Sequence, residues 1–114
     1  MNFRKKYSFE KRFDESSRII KKYPDRLPII VEKEKNSKVP DIDKHKYLVP
    51  TDLTMGQFMY VIRKRIKMES NKALFLFING KIINNTCFVE QVYQTEKNQD
   101  NFLYVTYCSE NVFG

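Results

Sequence analysis

Helix-like and strand-like hydrophobic patterns alternate along this 114-residue chain, and their order is what most limits its fold. Apolar residues recur at Met55, Phe58, Met59, Ile62 and Ile66, which places them on one stripe of a helix. Thr54 and Gln57 fit a capping box at its start, and Arg63, Lys64, Arg65 and Lys67 complement the macrodipole at its end. On either side stand short runs that read as strands: Leu27 to Val31, Lys46 to Pro50, Ala73 to Ile78, and Asn101 to Thr106. Asn79-Gly80 is a type I′ turn signal, after which residues 81–83 can pair back. Phe88, Val89, Val92 and Tyr93 mark one or two further helical turns.

Read in order from residue 25, the elements run β-β-α-β-(β)-α-β. That is the order of an α+β protein of the β-grasp type, a mixed four-stranded sheet packed on a central helix. Residues 3–23 add a helical pattern in front of it. Phe9, Phe13, Ser16, Ser17 and Ile20 share a stripe, Ser8 is an N-cap candidate that divides the segment into two helices, and Pro24 ends it. The expected organisation is a helical subdomain at 1–24, a β-grasp core at 25–107 and an extended tail at 108–114, all within one compact domain.

Composition narrows the function classes. No apolar run approaches the ~18 residues of a membrane span, and no apolar block follows the N-terminal charges, so neither a span nor a secretory signal is expected. Two cysteines, Cys87 and Cys108, are too few for a disulfide scaffold or a zinc site, and no metal is expected. The one histidine, His45, reads as a solvated loop residue, and the three glycines are too scattered for a phosphate loop. The chain does not read as an enzyme. Its net charge is +7, and residues 1–50 carry 14 basic and 8 acidic side chains against 7 and 6 in the remainder. The N-terminal half is therefore the electrostatic face, suited to acidic peptides or anionic headgroups. The absence of a reader motif and the interleaving of lysines with acids argue against nucleic acid.

Two features remain. Lysines flank the short strand Lys46 to Pro50, which reads either as a protected edge or as an open edge that accepts an extended peptide. The chain also closes on Gly114 after an extended polar stretch, and a residue without a Cβ can enter a narrow channel and be attacked from any side.

Several blocks, in order, resemble the ubiquitin-like autophagy modifiers that become attached to phosphatidylethanolamine. They are Phe9 to Arg12, Lys21 to Arg26, Pro28 to Lys33, Lys46 to Pro50, Asp52 to Phe58, Ile62 to Ile66, Ala73 to Phe75, and Phe102 to Tyr104. The resemblance covers the whole chain and is nearest to the gamma-aminobutyrate receptor-associated protein branch. It departs at Ile82-Ile83-Asn84-Asn85, where members commonly carry a proline pair.

The resemblance implies conjugation through Gly114, with Phe113 seating the tail. It implies activating and conjugating enzymes, a delipidating cysteine protease, and no cofactor beyond the covalent phosphatidylethanolamine. It also implies receptors and adaptors carrying acidic aromatic-x-x-aliphatic peptides. Glu15, Ile19, Pro28, Ile30, Leu48 and Phe102 would form the aromatic pocket. Tyr47, Val49, Pro50, Leu53, Phe58 and Val61 would form the aliphatic one. Arg26, Lys44, Lys46 and Arg65 would meet the acidic flank, and Phe75 and Phe77 would offer a second face if they are not plain core. The implied location is cytoplasmic, with the autophagosomal or vacuolar membrane once lipidated. Lys exceeds Arg by 15 to 6, a bias that fits an AT-rich protist genome and makes a plastid membrane an alternative. A β-grasp adaptor that binds peptides without conjugation is the competing reading.

Overall fold

A computed structural model describes residues 2–69 and 72–109. Two helices open the chain, α1 (Phe3–Lys6) and α2 (Phe9–Lys22), capped by the side chains of Asn2 and Ser8. They are followed by β1 (Arg26–Lys33), β2 (Lys46–Pro50), α3 (Met55–Arg65), β3 (Phe75–Ile78), β4 (Lys81–Ile82), α4 (Val89–Glu96) and β5 (Leu103–Cys108). The strands form one mixed sheet in the order β2-β1-β5-β3-β4. β1 and β5 are parallel at its centre, and the other pairs are antiparallel.

This is the β-grasp, with five strands where four were expected. The fifth is the short β4, turned back by Asn79 and Gly80 at φ 52° and 77°, as a type I′ turn requires. Ile83 extends the pairing, its N–H donating to the Leu76 carbonyl at 3.4 Å, a bond no proline could make. Cys108, assigned to the tail on sequence, is the buried last residue of β5. Phe113 and Gly114 lie outside the described residues.

The main core lies between one sheet face and α3 and α4. Leu27, Ile29 and Val31 of β1, Val105 and Tyr107 of β5, and Leu76 and Ile78 of β3 meet Met55, Phe58 and Ile62 of α3 there. Thr54 closes its expected capping box with Gln57, accepting from the Gln57 N–H at 3.2 Å and donating its own N–H to Oε1 at 2.8 Å. A smaller cluster on the opposite face joins Phe3, Ile30 and Phe102.

The N-terminal helices dock differently from the stripe read in the sequence. Phe9, Phe13 and Ile20 are exposed, while Arg12, Glu15, Ser16 and Ile19 face the sheet. Phe3 is the apolar anchor, set edge-on to Phe102 with ring centroids 5.2 Å apart. A polar clasp joins α2 to the approach to β5. Arg12 pairs with the fully buried Asp100, whose Oδ2 also accepts from the Tyr104 hydroxyl and whose Oδ1 accepts from Phe102 N–H. The Ser16 hydroxyl donates to the Asp100 carbonyl at 2.6 Å.

Candidate functional site

β2 is an edge strand, and its hydrogen bonding decides what it offers. Val31 N–H donates to the His45 carbonyl at 2.7 Å, and Thr51 N–H to the Asp25 carbonyl at 3.1 Å. Bonded and non-bonded pairs alternate along an antiparallel ladder, so Tyr47 and Val49 bond toward β1, whereas Lys46 and Leu48 turn their peptide groups away from it. Side chains alternate too. Tyr47 and Val49 enter the main core beneath the sheet, while Lys46, Leu48 and Pro50 are half-buried.

His45 is not the solvated loop residue expected. Its Nδ1 lies 2.8 Å from the Val31 carbonyl and must carry the proton to donate to it, which pins the entry of β2 to β1.

Beside this edge the structure brings together the residues expected to form the aromatic pocket. Ile30 and Phe102 are fully buried in one cluster, with Ile19 packed on them. Pro28 stands opposite Leu48, Ile30 stands opposite Lys46, and Glu15 pairs with Lys46 at the rim. A hollow of about 190 Å³, lined in part by Glu15, Ile19 and Tyr23, adjoins it.

The expected aliphatic pocket divides between two environments. Tyr47, Val49 and Phe58 are core residues, the rings of Tyr47 and Phe58 being 5.8 Å apart and nearly perpendicular. Leu53 and Pro50 are half-buried and Val61 is exposed. Phe75 and Phe77 share the sheet face opposite Leu76 and Ile78; Phe75 is half-buried and Phe77 buried.

The four expected cations sit around this edge, and all four make contacts within the chain, Lys46 through its pair with Glu15. Arg26 donates to the outward Leu48 carbonyl at 3.2 Å. Arg65 pairs with Asp43 at 2.8 Å and holds its carboxyl below the usual value. Lys44 lies over the Tyr47 ring, 5.1 Å from its centre. Burial pushes the Tyr47 phenol up to about 12, and its hydroxyl has no hydrogen-bond partner among the described residues. Two of the four cations, Lys46 and Arg65, are thus already paired with carboxylates of the chain, Glu15 and Asp43.

Among the described residues, no three His, Cys, Asp or Glu side chains come together to hold a metal ion. No helix among them is long and apolar enough to cross a membrane.

The family model described as autophagy protein Atg8, ubiquitin-like, matches residues 11–114. The chain belongs to the Atg8 family. It is 54% identical to autophagy-related protein 8e of Arabidopsis thaliana over 98% of this chain and 92% of that protein. It is 52% identical to autophagy-related protein 8 of Candida glabrata over 99% and 96%. The crystal structure of Trypanosoma brucei ATG8 superposes with a TM-score of 0.93 at 38% identity, covering 100% of this chain and 98% of that one. The chain is thus a ubiquitin-like modifier of the autophagy pathway. The narrower assignment to the gamma-aminobutyrate receptor-associated protein branch of Atg8 proteins rests on the sequence resemblance alone.

Proposed function

We propose that this Atg8-family chain is conjugated through Gly114 to phosphatidylethanolamine and then recruits partners by adding their extended peptides to β2. An activating enzyme adenylates the Gly114 carboxylate, releasing pyrophosphate from ATP. An enzyme cysteine thiolate displaces AMP to form a thioester, which passes to a conjugating-enzyme cysteine. The ethanolamine amine attacks the thioester carbonyl, the thiolate leaves and an amide remains. The chain is the acyl donor throughout and supplies no general acid or base. A delipidating cysteine protease hydrolyses the same amide. Two acyl chains make the anchoring stable, where a single one gives only marginal binding. The membrane is that of the autophagosome.

The observation that carries the recruitment reading is the outward pair of peptide groups at Lys46 and Leu48, beside an apolar cluster and a rim of cations. Main-chain bonds to the edge give affinity, the flanking pockets give specificity, and the cations select an acidic flank. The match to the family model, which runs through Gly114, supports the conjugation reading.

The test combines the chain with cognate activating and conjugating enzymes, ATP and phosphatidylethanolamine liposomes, beside a chain lacking Gly114. The expected result is a reductant-sensitive adduct followed by a lipid-shifted band, both absent without Gly114. No adduct with active enzymes, or conjugation that survives the deletion, overturns the conjugation reading and leaves a peptide-binding adaptor.

A further inference from the structure

Away from the β2 edge, at the root of the tail, lies a cavity of about 330 Å³ whose charged lining is Lys38, Lys67, Lys72 and Glu69. Ser109, the last described residue of the chain, forms part of its wall, and Val39 and Met68 give it an apolar floor. Three cations face one anion. None of the three lysines has an ion pair or a side-chain hydrogen bond among the described residues.

Individual hydrogen bonds hold the backbone at or beside each of the three lysines. Lys67 takes the left-handed conformation at φ 55°, directly after α3. Its N–H bonds to the Lys64 carbonyl at 3.2 Å and Met68 N–H to the Arg63 carbonyl at 3.2 Å, the two bonds of a Schellman cap. Glycine is the usual occupant of that position, and a side chain with a Cβ there is strained. Lys67, held in that conformation, lines the cavity. The guanidinium of Arg63 donates to the Glu69 carbonyl at 3.2 Å and the Lys72 carbonyl at 2.7 Å, which ties down both backbone positions. Lys38 is set between buried Ser37 and Val39, and the Ser37 hydroxyl accepts from Ser109 N–H at 3.3 Å. The three ammonium-bearing residues thus rise from tethered positions around a concave floor, as binding a compact anion requires.

We propose that this cavity is a phosphate site. Lysine ammonium groups are point charges suited to phosphate oxygens, and three of them around one hollow match a dianion or the phosphodiester of a lipid headgroup. Residues 110–114 span at most roughly 18 Å, so a lipid joined at Gly114 keeps the membrane surface within reach of these lysines. Engagement of a headgroup phosphate there would set how the domain sits on the membrane, with the β2 edge left accessible. The lipid source rests on the conjugation reading above; the phosphate site does not.

The experiment uses the full chain, unconjugated. Amide chemical shifts are followed during titration with inorganic phosphate against chloride at matched ionic strength. Partition is then measured on phosphatidylcholine vesicles with and without phosphatidic acid. The same measurements are made on Lys38→Gln/Lys67→Gln/Lys72→Gln, and on Lys5→Gln/Lys6→Gln/Lys11→Gln, which removes the same charge elsewhere. Saturable shifts at residues 38, 67 and 72 are expected, at least tenfold weaker in the first variant and little changed in the second. A matching selective loss of partition on phosphatidic acid identifies the source as a lipid headgroup. Lysine-dependent phosphate shifts with equal partition of the two variants identify free phosphate instead. Absence of saturable shifts, or equal weakening in both variants, overturns the site. Deleting Gly114 is expected to leave the phosphate shifts intact, which separates this site from the fate of the conjugation reading.

Discussion

Pro28 stands directly across from Leu48 in the β1–β2 ladder, at a pair that exchanges no hydrogen bond. A residue without an N–H is tolerated there because the ladder asks nothing of it toward β2. The same alternation turns the Leu48 peptide group outward, where its carbonyl is met by Arg26. One register thus explains both the proline inside a strand and the open edge opposite it.

If that edge is where partners add, removing the Leu48 side chain and the Lys46 charge strips the aromatic pocket and the acidic-flank contact together. The double variant Leu48→Ala/Lys46→Gln is expected to weaken an acidic aromatic-x-x-aliphatic peptide at least tenfold, about 1.4 kcal/mol. Calorimetric titration checks it, with an unfolding curve to show that the fold persists. Unchanged affinity in the folded variant sinks the pocket assignment.

Phe58 separates packing from binding. It is 1% exposed and set edge-on to Tyr47 within the main core. Phe58→Ala is expected to lower stability by about 3–5 kcal/mol, the usual loss for an emptied aromatic site. Denaturant unfolding checks it, and a loss below ~1 kcal/mol would mean that the ring is not the core residue the structure makes it.

The Arg12–Asp100 pair carries the attachment of α2. Asp100→Ala removes the partner of a guanidinium that is only 11% exposed and leaves the Phe102 N–H without its acceptor. A loss of about 3–5 kcal/mol is expected. It should be felt first as faster amide exchange along α2, with α3 less affected. Replacing Arg12 and Asp100 together with apolar residues should recover part of it, because no unpaired charge then remains. Equal acceleration in α2 and α3 would show that the clasp does not act on α2 in particular.

Elements with one dominant period are legible in the sequence alone. The Met55 to Ile66 stripe, its Thr54–Gln57 box and the Asn79-Gly80 turn all rest on local rules that tertiary contacts reinforce. The N-terminal helices were legible as helices but not in their facing. Phe9 and Phe13 outweigh Ser16 on any hydrophobicity count, yet Ser16 is buried because its hydroxyl finds the Asp100 carbonyl, 84 positions away. That long-range polar bond, and the burial of Asp100, have no signature in sequence spacing. The same holds for the pairing of Lys46 with Glu15 and of Arg65 with Asp43, which join separate elements across the rim of the site.

Alkaline pH gives the last test. Burial pushes the phenols of Tyr47, Tyr93 and Tyr107 up to about 12 from the ordinary 10.0, and Tyr104 is raised as well by burial and by its bond to Asp100. The folded state therefore favours the protonated phenol more than the unfolded chain does. That contribution to stability is fully present below pH 10 and is lost as pH rises from 10 through about 12. Tyr93 and Tyr107 also donate to the Asn101 and Pro40 carbonyls, bonds that ionisation abolishes. Tyrosinate absorbance followed beside circular dichroism should show these phenols ionising together with unfolding in that window. Tyr107→Phe should flatten the decline of stability with pH, because one fewer proton is released on unfolding. Complete ionisation of the tyrosines near pH 10 with the dichroism intact would mean that the core admits solvent where the structure closes it.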